Sequence, residues 1–310
     1  MACVGHAALD HVFDIDAMPA EPTKTLARDY RARPGGMSLH AAIAAARLGA
    51  AARLVGRVGE DASADFLRRR LMAEGVQAEG LETVRGTSTS LAAVIVDAAG
   101  ARQIFIHRGD ALTRAHALDT RQLEGADVVM ADTRWPEGAA TALQWARARG
   151  VPSLLDGDVA PADVLERLVP LARWVAFSEP GCDQWAALHG CRSRDAALAE
   201  TLARGCELAL VTLGPEGARW AERGRDVQQV PAPAVQARDT TAAGDVFHAA
   251  LAVALGEGQG TAQAVAWACA AAAFKCERGG GAEGAPTRVE LSRWLAQRAA
   301  PRTPGSRAVG

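Results

Sequence analysis

The sequence predicts an α/β fold, a mainly parallel sheet covered by helices on both faces, with a small β-rich appendage. Three observations carry this reading. From Asp127 onward, β-type runs alternate regularly with helical ones, the pattern of right-handed β-α-β crossovers. Between Leu91 and His107 the runs LAAVIVD and RQIFIH flank Ala98-Ala99-Gly100, a hairpin signal outside that rhythm. Residues 24–33 (KTLARDYRAR) alternate partially, as an exposed strand does.

Taken in order, Ala2 to Gly5 is short and apolar and reads as a buried strand. Pro34, Gly35 and Gly36 break the chain, and Ser38 is placed to cap a helix through AAIAAARLG that stops at Gly49. Its alanine face would allow very close packing. A strand at Ala52–Gly56 precedes a helix from Asp61, a good N-cap, to Gly75, a good C′ residue. Then DVVMAD, VPSLLD, WVAFS and ELALVTL are strands, separated by helices at about 138–149, 161–171 and 181–204. Residues 217–235 read as short antiparallel strands. Helices follow at about 243–256, 261–276 and 287–298, and the Pro/Gly-rich tail 301–310 is expected to be disordered. No linker cuts the chain, so residues 1–300 are expected to form one domain.

The chain has 310 residues, 34 basic and 36 acidic, with a formal charge of −2. That balance argues against nucleic-acid binding by phosphate neutralisation. No run of 18 apolar residues is long enough to span a bilayer. No secretory signal is visible at the start, so a cytoplasmic protein is expected. The six cysteines are scattered, without zinc spacing, and read as small buried hydrophobes. Only Lys24 and Lys275 among the basic residues are lysines. In so arginine-rich a chain, a retained lysine hints at a place where a compact ammonium is wanted.

Ligands of open α/β sheets bind outside the carboxyl ends of the strands, which directs attention to Asp239-Thr240-Thr241-Ala242-Ala243-Gly244-Asp245-Val246-Phe247-His248. Small residues stand there at a helix start, whose free N–H groups and dipole favour anions. Asp245, just inside the helix, would point a carboxylate at the same place, as phosphoryl transfer to an alcohol requires. The plainer reading is helix capping by Thr240, Thr241 or Asp245.

This segment resembles the second signature of the PfkB/ribokinase family of carbohydrate kinases, D-T-x-G-A-G-D-x-F. Pro34-Gly35-Gly36 with the helix ending ARLGA resembles the first signature, Ala2–Asp10 the opening strand, and VTLGPEG at 211–217 the nucleotide loop. The resemblance runs from residue 2 to about 290 and implies a ribokinase-like three-layer α/β/α domain. The appendage, strands at about 12–33 and 88–108, then becomes a lid over the sugar and a homodimer contact. It implies Asp245 as the base, with Ala242, Ala243 and Gly244 forming the anion hole. Thr212, Gly214 and Gly217 would hold ATP with Mg²⁺, and Lys275 would approach the nucleotide. Asp239 and Thr241 would help hold a monovalent cation such as K⁺. Asp10, Gly35, Gly36 and His40 would form the sugar floor.

Lys24-Thr25, ADTRW, LLDGD, FSEPG and KCERGG resemble the sulfofructose kinase branch. That likeness implies a keto-sugar with an anionic tail, such as 6-deoxy-6-sulfofructose, held by Lys24, His107 and Arg134. The alternatives are a neutral sugar or sugar acid (fructose, ribose, 2-keto-3-deoxygluconate) and a non-catalytic binding relative.

The chain departs from the family pattern in several places. Ala242 replaces a glycine, which costs on the order of 1 kcal/mol if φ is positive there. His40 stands where ribokinases carry a sugar-binding asparagine. Ser178 and Gly181 break an N-x-x-E motif, leaving Glu179 to order Mg²⁺ through water. His107 and Arg108 replace an asparagine–tyrosine pair of the branch. His6, His11 and His116 read as structural or exposed. The first strand is not followed by G-x-G-x-x-G, which disfavours a nicotinamide oxidoreductase.

Overall fold

The computed structural model describes residues 1–112 and 117–299; His116 and the 301–310 tail lie outside the described residues. Nine strands form the main sheet. In chain order they are β1 (Ala2–Gly5), β4 (Arg53–Gly59), β5 (Leu81–Val84), β8 (Val129–Asp132), β9 (Ser153–Gly157), β10 (Trp174–Phe177), β11 (Leu208–Thr212), β12 (Ala218–Glu222) and β13 (Gln228–Val230). Their spatial order is β13-β12-β11-β10-β9-β8-β1-β4-β5. Pairing is parallel from β5 to β11 and antiparallel only at β12 and β13. The second sheet holds β2 (Ala8–Asp14), β3 (Asp29–Gly35), β6 (Ser90–Val96) and β7 (Arg102–His107), in the order β3-β2-β6-β7. Here β2 and β6 run parallel, while β3 and β7 pair antiparallel to them.

Helices cover both faces of the main sheet, because its parallel strands are apolar on both sides. On one face lie α1 (Met37–Arg47), α2 (Ala62–Ala73), α7 (Ala243–Gly256), α8 (Thr261–Arg278) and α9 (Arg288–Ala299), around a core that includes Leu39, Ile43, Leu67, Leu251 and Val265. On the other lie α3 (Pro136–Arg149), α4 (Ala162–Leu168), α5 (Glu179–Leu188) and α6 (Arg194–Ala203), around Leu143, Leu165, Phe177 and Trp185. The three layers are those the sequence resemblance implied. As the alanine face of α1 suggested, that helix packs directly on α7, itself alanine-rich. Among the described residues no helix is long and apolar enough to cross a membrane.

Two local expectations are corrected. Ser38 is not the cap of α1; Gly36 is, at φ 96°. A Cβ at Gly36 would lie 2.5 Å from the His6 carbonyl oxygen, so glycine is needed for both the turn and the close approach. Ser38 lies inside the helix, where its hydroxyl oxygen is 2.6 Å from the Asp132 carboxylate, to which it donates, and 2.9 Å from the Val4 carbonyl oxygen. The exposed strand expected at 24–33 begins only at Asp29. Asp29 pairs with Asp14, the last residue of β2, so residues 24–28 have no strand to join despite their alternation.

Candidate active site

The carboxyl edge of the sheet, the starts of α1 and α7, and the small second sheet meet at one place. Asp132, ending β8, is fully buried. Its carboxylate accepts from the backbone N–H groups of His6 (2.8 Å), Ser38 (3.1 Å) and Arg134 (2.8 Å), and from the Ser38 hydroxyl. A buried charge is tolerable only when so completely hydrogen-bonded. Asp132 thereby fixes the exit of β1 against the start of α1. The aspartate ending the DVVMAD run was its only trace in the sequence. His6 makes its bond through the backbone, and burial pushes its imidazole pKa down.

The turn 239–243 leads into α7. Its N-cap, Ala242, has φ 60° and ψ 14°, and among the described residues no other non-glycine has a positive φ. The glycine-to-alanine departure therefore falls where the backbone is left-handed, at a cost of about 1–2 kcal/mol. Gly244 borders open space, since a Cβ there would meet nothing within 4 Å. The Ala243 N–H donates to the Thr240 carbonyl at 3.2 Å, so the start of α7 presents chiefly the N–H groups of Gly244 and Asp245, with little side-chain bulk, to whatever lies in front of it.

Asp245 projects from that turn, with Oδ2 2.8 Å from Nδ1 of His40. The other ring nitrogen, Nε2, lies 3.0 Å from the Pro34 carbonyl oxygen. Both partners are acceptors when Asp245 is ionised, so the contact requires a doubly protonated imidazole or a proton on the carboxylate. Burial disfavours the charged ring, but the Asp245 hydrogen bond and the nearby Asp245 and Asp10 carboxylates outweigh it and raise the His40 pKa. Asp10 lies across Gly35, where a Cβ would be 2.2 Å from Asp10 Oδ1. Burial pushes the Asp10 carboxyl up, with His40 opposing and Asp245 adding to the shift.

Beneath the second sheet is a cavity of about 230 Å³, bordered by Asp10, Pro34, His40, Thr241, Gly280 and Gly281 and by four arginines, 31, 33, 102 and 238. Arg31 pairs with Asp14 and Asp29, and Arg102 with Asp239. Arg33 is half-buried and has no hydrogen bond or ion pair among the described residues. Burial and then the neighbouring Arg31 guanidinium push its pKa down. Reading the sequence missed Arg33, although the 24–33 alternation places it on one face with Arg31.

None of the residues expected to hold an anionic tail borders this cavity. Lys24 is exposed on the loop between β2 and β3. His107 is exposed at the end of β7, with Nε2 3.3 Å from the Ser88 hydroxyl. Arg134 is engaged by Asp158 at 2.6 Å and the Val159 carbonyl at 2.7 Å.

On the other side of the turn 239–243 is a cleft of about 450 Å³ with mostly apolar walls. Thr212, Gly214 and Gly217 border it, as do Ala243, Gly244, Phe247 and Ala272. Apolar walls ending at a helix start suit a flat heteroaromatic ring carrying phosphates. Lys275 does not border this cleft, against the expectation that it approaches the nucleotide. It is fully buried, and its ammonium donates to the Asp239 carbonyl oxygen at 2.8 Å. Burial would raise the Asp239 carboxyl; the Lys275 charge and the surrounding backbone N–H groups reverse this and hold it well below the usual range.

Glu179 does not fit as a magnesium partner either, because its carboxylate is half exposed and paired with Arg194 at 2.8 Å. Among the described residues no three His, Cys, Asp or Glu side chains converge on a metal position. One turn beyond Asp245, His248 Nδ1 lies 2.9 Å from Asp156 Oδ2, both buried. Burial pushes the Asp156 carboxyl up to about 6 despite His248.

Residues 1–288 match the model of the pfkB family of carbohydrate kinases. Ribokinase from Bacillus subtilis (strain 168) is 30% identical over 296 residues, covering 94% of this chain and 98% of its own length. The structure of ribokinase from Thermotoga maritima is similar with a TM-score of 0.83 and 27% identity, over 95% of this chain and 98% of that one. The structure of Arabidopsis thaliana ribokinase complexed with ribose and ATP gives a TM-score of 0.83 at 26% identity, over 95% and 97%.

Proposed function

Because this chain belongs to the pfkB family of carbohydrate kinases, we propose that Asp245 is the general base of an ATP-dependent sugar kinase and that the sugar lies beneath the second sheet. Asp245 takes the proton of a sugar hydroxyl, whose oxygen bonds to the γ-phosphorus as the bond to the ADP oxygen breaks. Ala242, Ala243 and Gly244 present their backbone to the phosphoryl oxygens as negative charge builds there. Thr212, Gly214 and Gly217 hold the nucleotide. When bound, Mg²⁺ would supply positive charge against the nucleotide phosphates; among the described residues no three acidic, imidazole or thiol side chains converge to hold it. His40 orients Asp245, and Asp10 accepts from sugar hydroxyls.

The observation that carries the choice of substrate is Arg33, a half-buried guanidinium with no ion pair among the described residues, facing the same cavity as Asp10 and His40. A sugar with an anionic tail, such as 6-deoxy-6-sulfofructose or fructose 6-phosphate, would supply the missing charge. The second reading is a neutral pentose, favoured by the ribokinases among the similar proteins. ADP release with Mg-ATP across 6-deoxy-6-sulfofructose, fructose 6-phosphate, fructose, ribose and 2-keto-3-deoxygluconate separates them. Turnover confined to the anionic sugars supports the first; a preference for ribose or fructose overturns it.

The chain is further proposed to act as a homodimer through the second sheet. On its edge strand β7, Ile104, Phe105 and Ile106 are all exposed, an apolar edge of the kind that a second strand covers. Light scattering on the purified protein checks this. Six unpaired cysteines favour a reducing compartment such as the cytoplasm.

A further inference from the structure

We propose that the Lys275 ammonium takes the place of a bound alkali cation beside the phosphate-transfer turn, so that this enzyme works without K⁺. The proposal rests on the kinase reading above. It begins from the surroundings of Asp239, where a monovalent cation was expected. A cation there would take the Asp239 carbonyl and carboxylate oxygens. Lys275 already does: Nζ is 2.8 Å from the carbonyl oxygen and 3.5 Å from Oδ2.

The remaining capacity of Asp239 is also used. Oδ1 accepts from the Thr241 N–H at 2.8 Å and from Arg102 at 2.9 Å. Oδ2 accepts from the N–H groups of Gly280 (3.2 Å) and Gly281 (3.1 Å). An incoming K⁺ would have to displace the Lys275 ammonium and would face the Arg102 guanidinium on the same carboxylate. The residues present therefore do not fit a bound alkali ion.

The side chain is placed for this use and no other on view. Lys275 is fully exposed to neither solvent nor the nucleotide cleft; its relative accessibility is 0%. A lysine is rarely buried without a partner that rewards it. Its partner, Asp239, starts the turn that runs through Thr241 to the left-handed Ala242 and into α7. A compact ammonium with three donors can hold that turn in shape and keep a positive charge behind the backbone groups that meet the phosphoryl oxygens. It is one of only two lysines among 34 basic residues, retained where a compact ammonium fits.

The test compares K⁺ with tetramethylammonium at matched ionic strength. Wild-type protein is expected to show the same turnover in both salts, and the same thermal midpoint. Activation of several-fold by K⁺, or a midpoint that K⁺ alone raises, overturns the proposal. In Lys275→Met, turnover is expected to fall by about 10²-fold and to be restored in part by K⁺, with a K⁺-specific rise in thermal midpoint. A folded Lys275→Met protein that ignores K⁺ in both measurements also overturns it. Lys275→Arg keeps the charge and should remain indifferent to K⁺, which covers the case where the methionine variant does not fold. The thermal arms need no turnover, so they stand apart from any failure to find the sugar.

Discussion

His40 Nδ1 and Asp245 Oδ2, 205 positions apart in sequence, lie 2.8 Å from each other, and the second nitrogen of the same ring is held by the Pro34 carbonyl. The carboxylate placed to take the sugar proton is thus already hydrogen-bonded. Asp245→Asn should lower kcat by about 10²–10⁴-fold with the fold retained. His40→Asn keeps a donor of similar reach and should lose less, while His40→Ala frees the carboxylate and should lose more. Equal kcat values for wild type and His40→Ala would show that the contact does not position the base.

The same pair makes stability depend on pH. The folded protein raises the His40 pKa above its ordinary value of 6.5, so the native state binds that proton more tightly than the unfolded chain. The contribution is fully present below about pH 6.5 and is lost as pH rises through the folded value. Thermal midpoints of wild type and His40→Asn should therefore differ most at acid pH and converge in alkali. A gap that widens with rising pH would contradict this.

Ala242 sits at φ 60°. Replacing it with glycine removes about 1–2 kcal/mol of strain and returns about 0.4–1 kcal/mol of chain entropy to the unfolded state. Ala242→Gly should accordingly be more stable by roughly 0.5–1 kcal/mol, with activity kept or raised. Urea melts at fixed protein concentration read this directly, and a destabilised variant would mean that the lost methyl contact with the core outweighs the strain.

Arg33→Ala should raise KM for an anionic sugar by about 10–100-fold, the worth of hydrogen bonds to a charged group, and leave a neutral sugar nearly unaffected. Lys24→Ala, on the exposed loop, should change neither. The reverse ranking would return the anion site to the loop.

Much of this molecule was legible from its residues, for identifiable reasons. The strands from Val129 to Thr212 alternate with helices because each parallel strand needs a crossover, and that rhythm survives in a single chain. The helix start at Ala242–Asp245 was visible because small residues and an acid in one turn leave few other readings. Ser38 misled because a glycine backbone, invisible as a capping side chain, ended the strand and began α1. Residues 24–28 misled because alternation says nothing about whether a partner strand reaches that far. Lys24 and Arg134 carried the right charge for an anion pocket, but that Arg33 faces the cavity with no ion pair among the described residues shows only once β2 and β3 pair. The contacts of Lys275 with Asp239 join helix α8 to a turn 36 positions away, and no local pattern encodes that.

Arg102 belongs to β7, in the sheet that covers the sugar cavity, yet its guanidinium rests on Asp239, beside the turn that faces the nucleotide. Were this sheet to lift as a lid, it would carry that positive charge away from Asp239. Such a link would guard against futile hydrolysis, since water reaching an open site would meet an incomplete electrostatic field. ADP release in the absence of any sugar, compared between wild type and Arg102→Ala, measures that protection: once the guanidinium no longer distinguishes open from closed, the ratio of coupled to uncoupled turnover should fall.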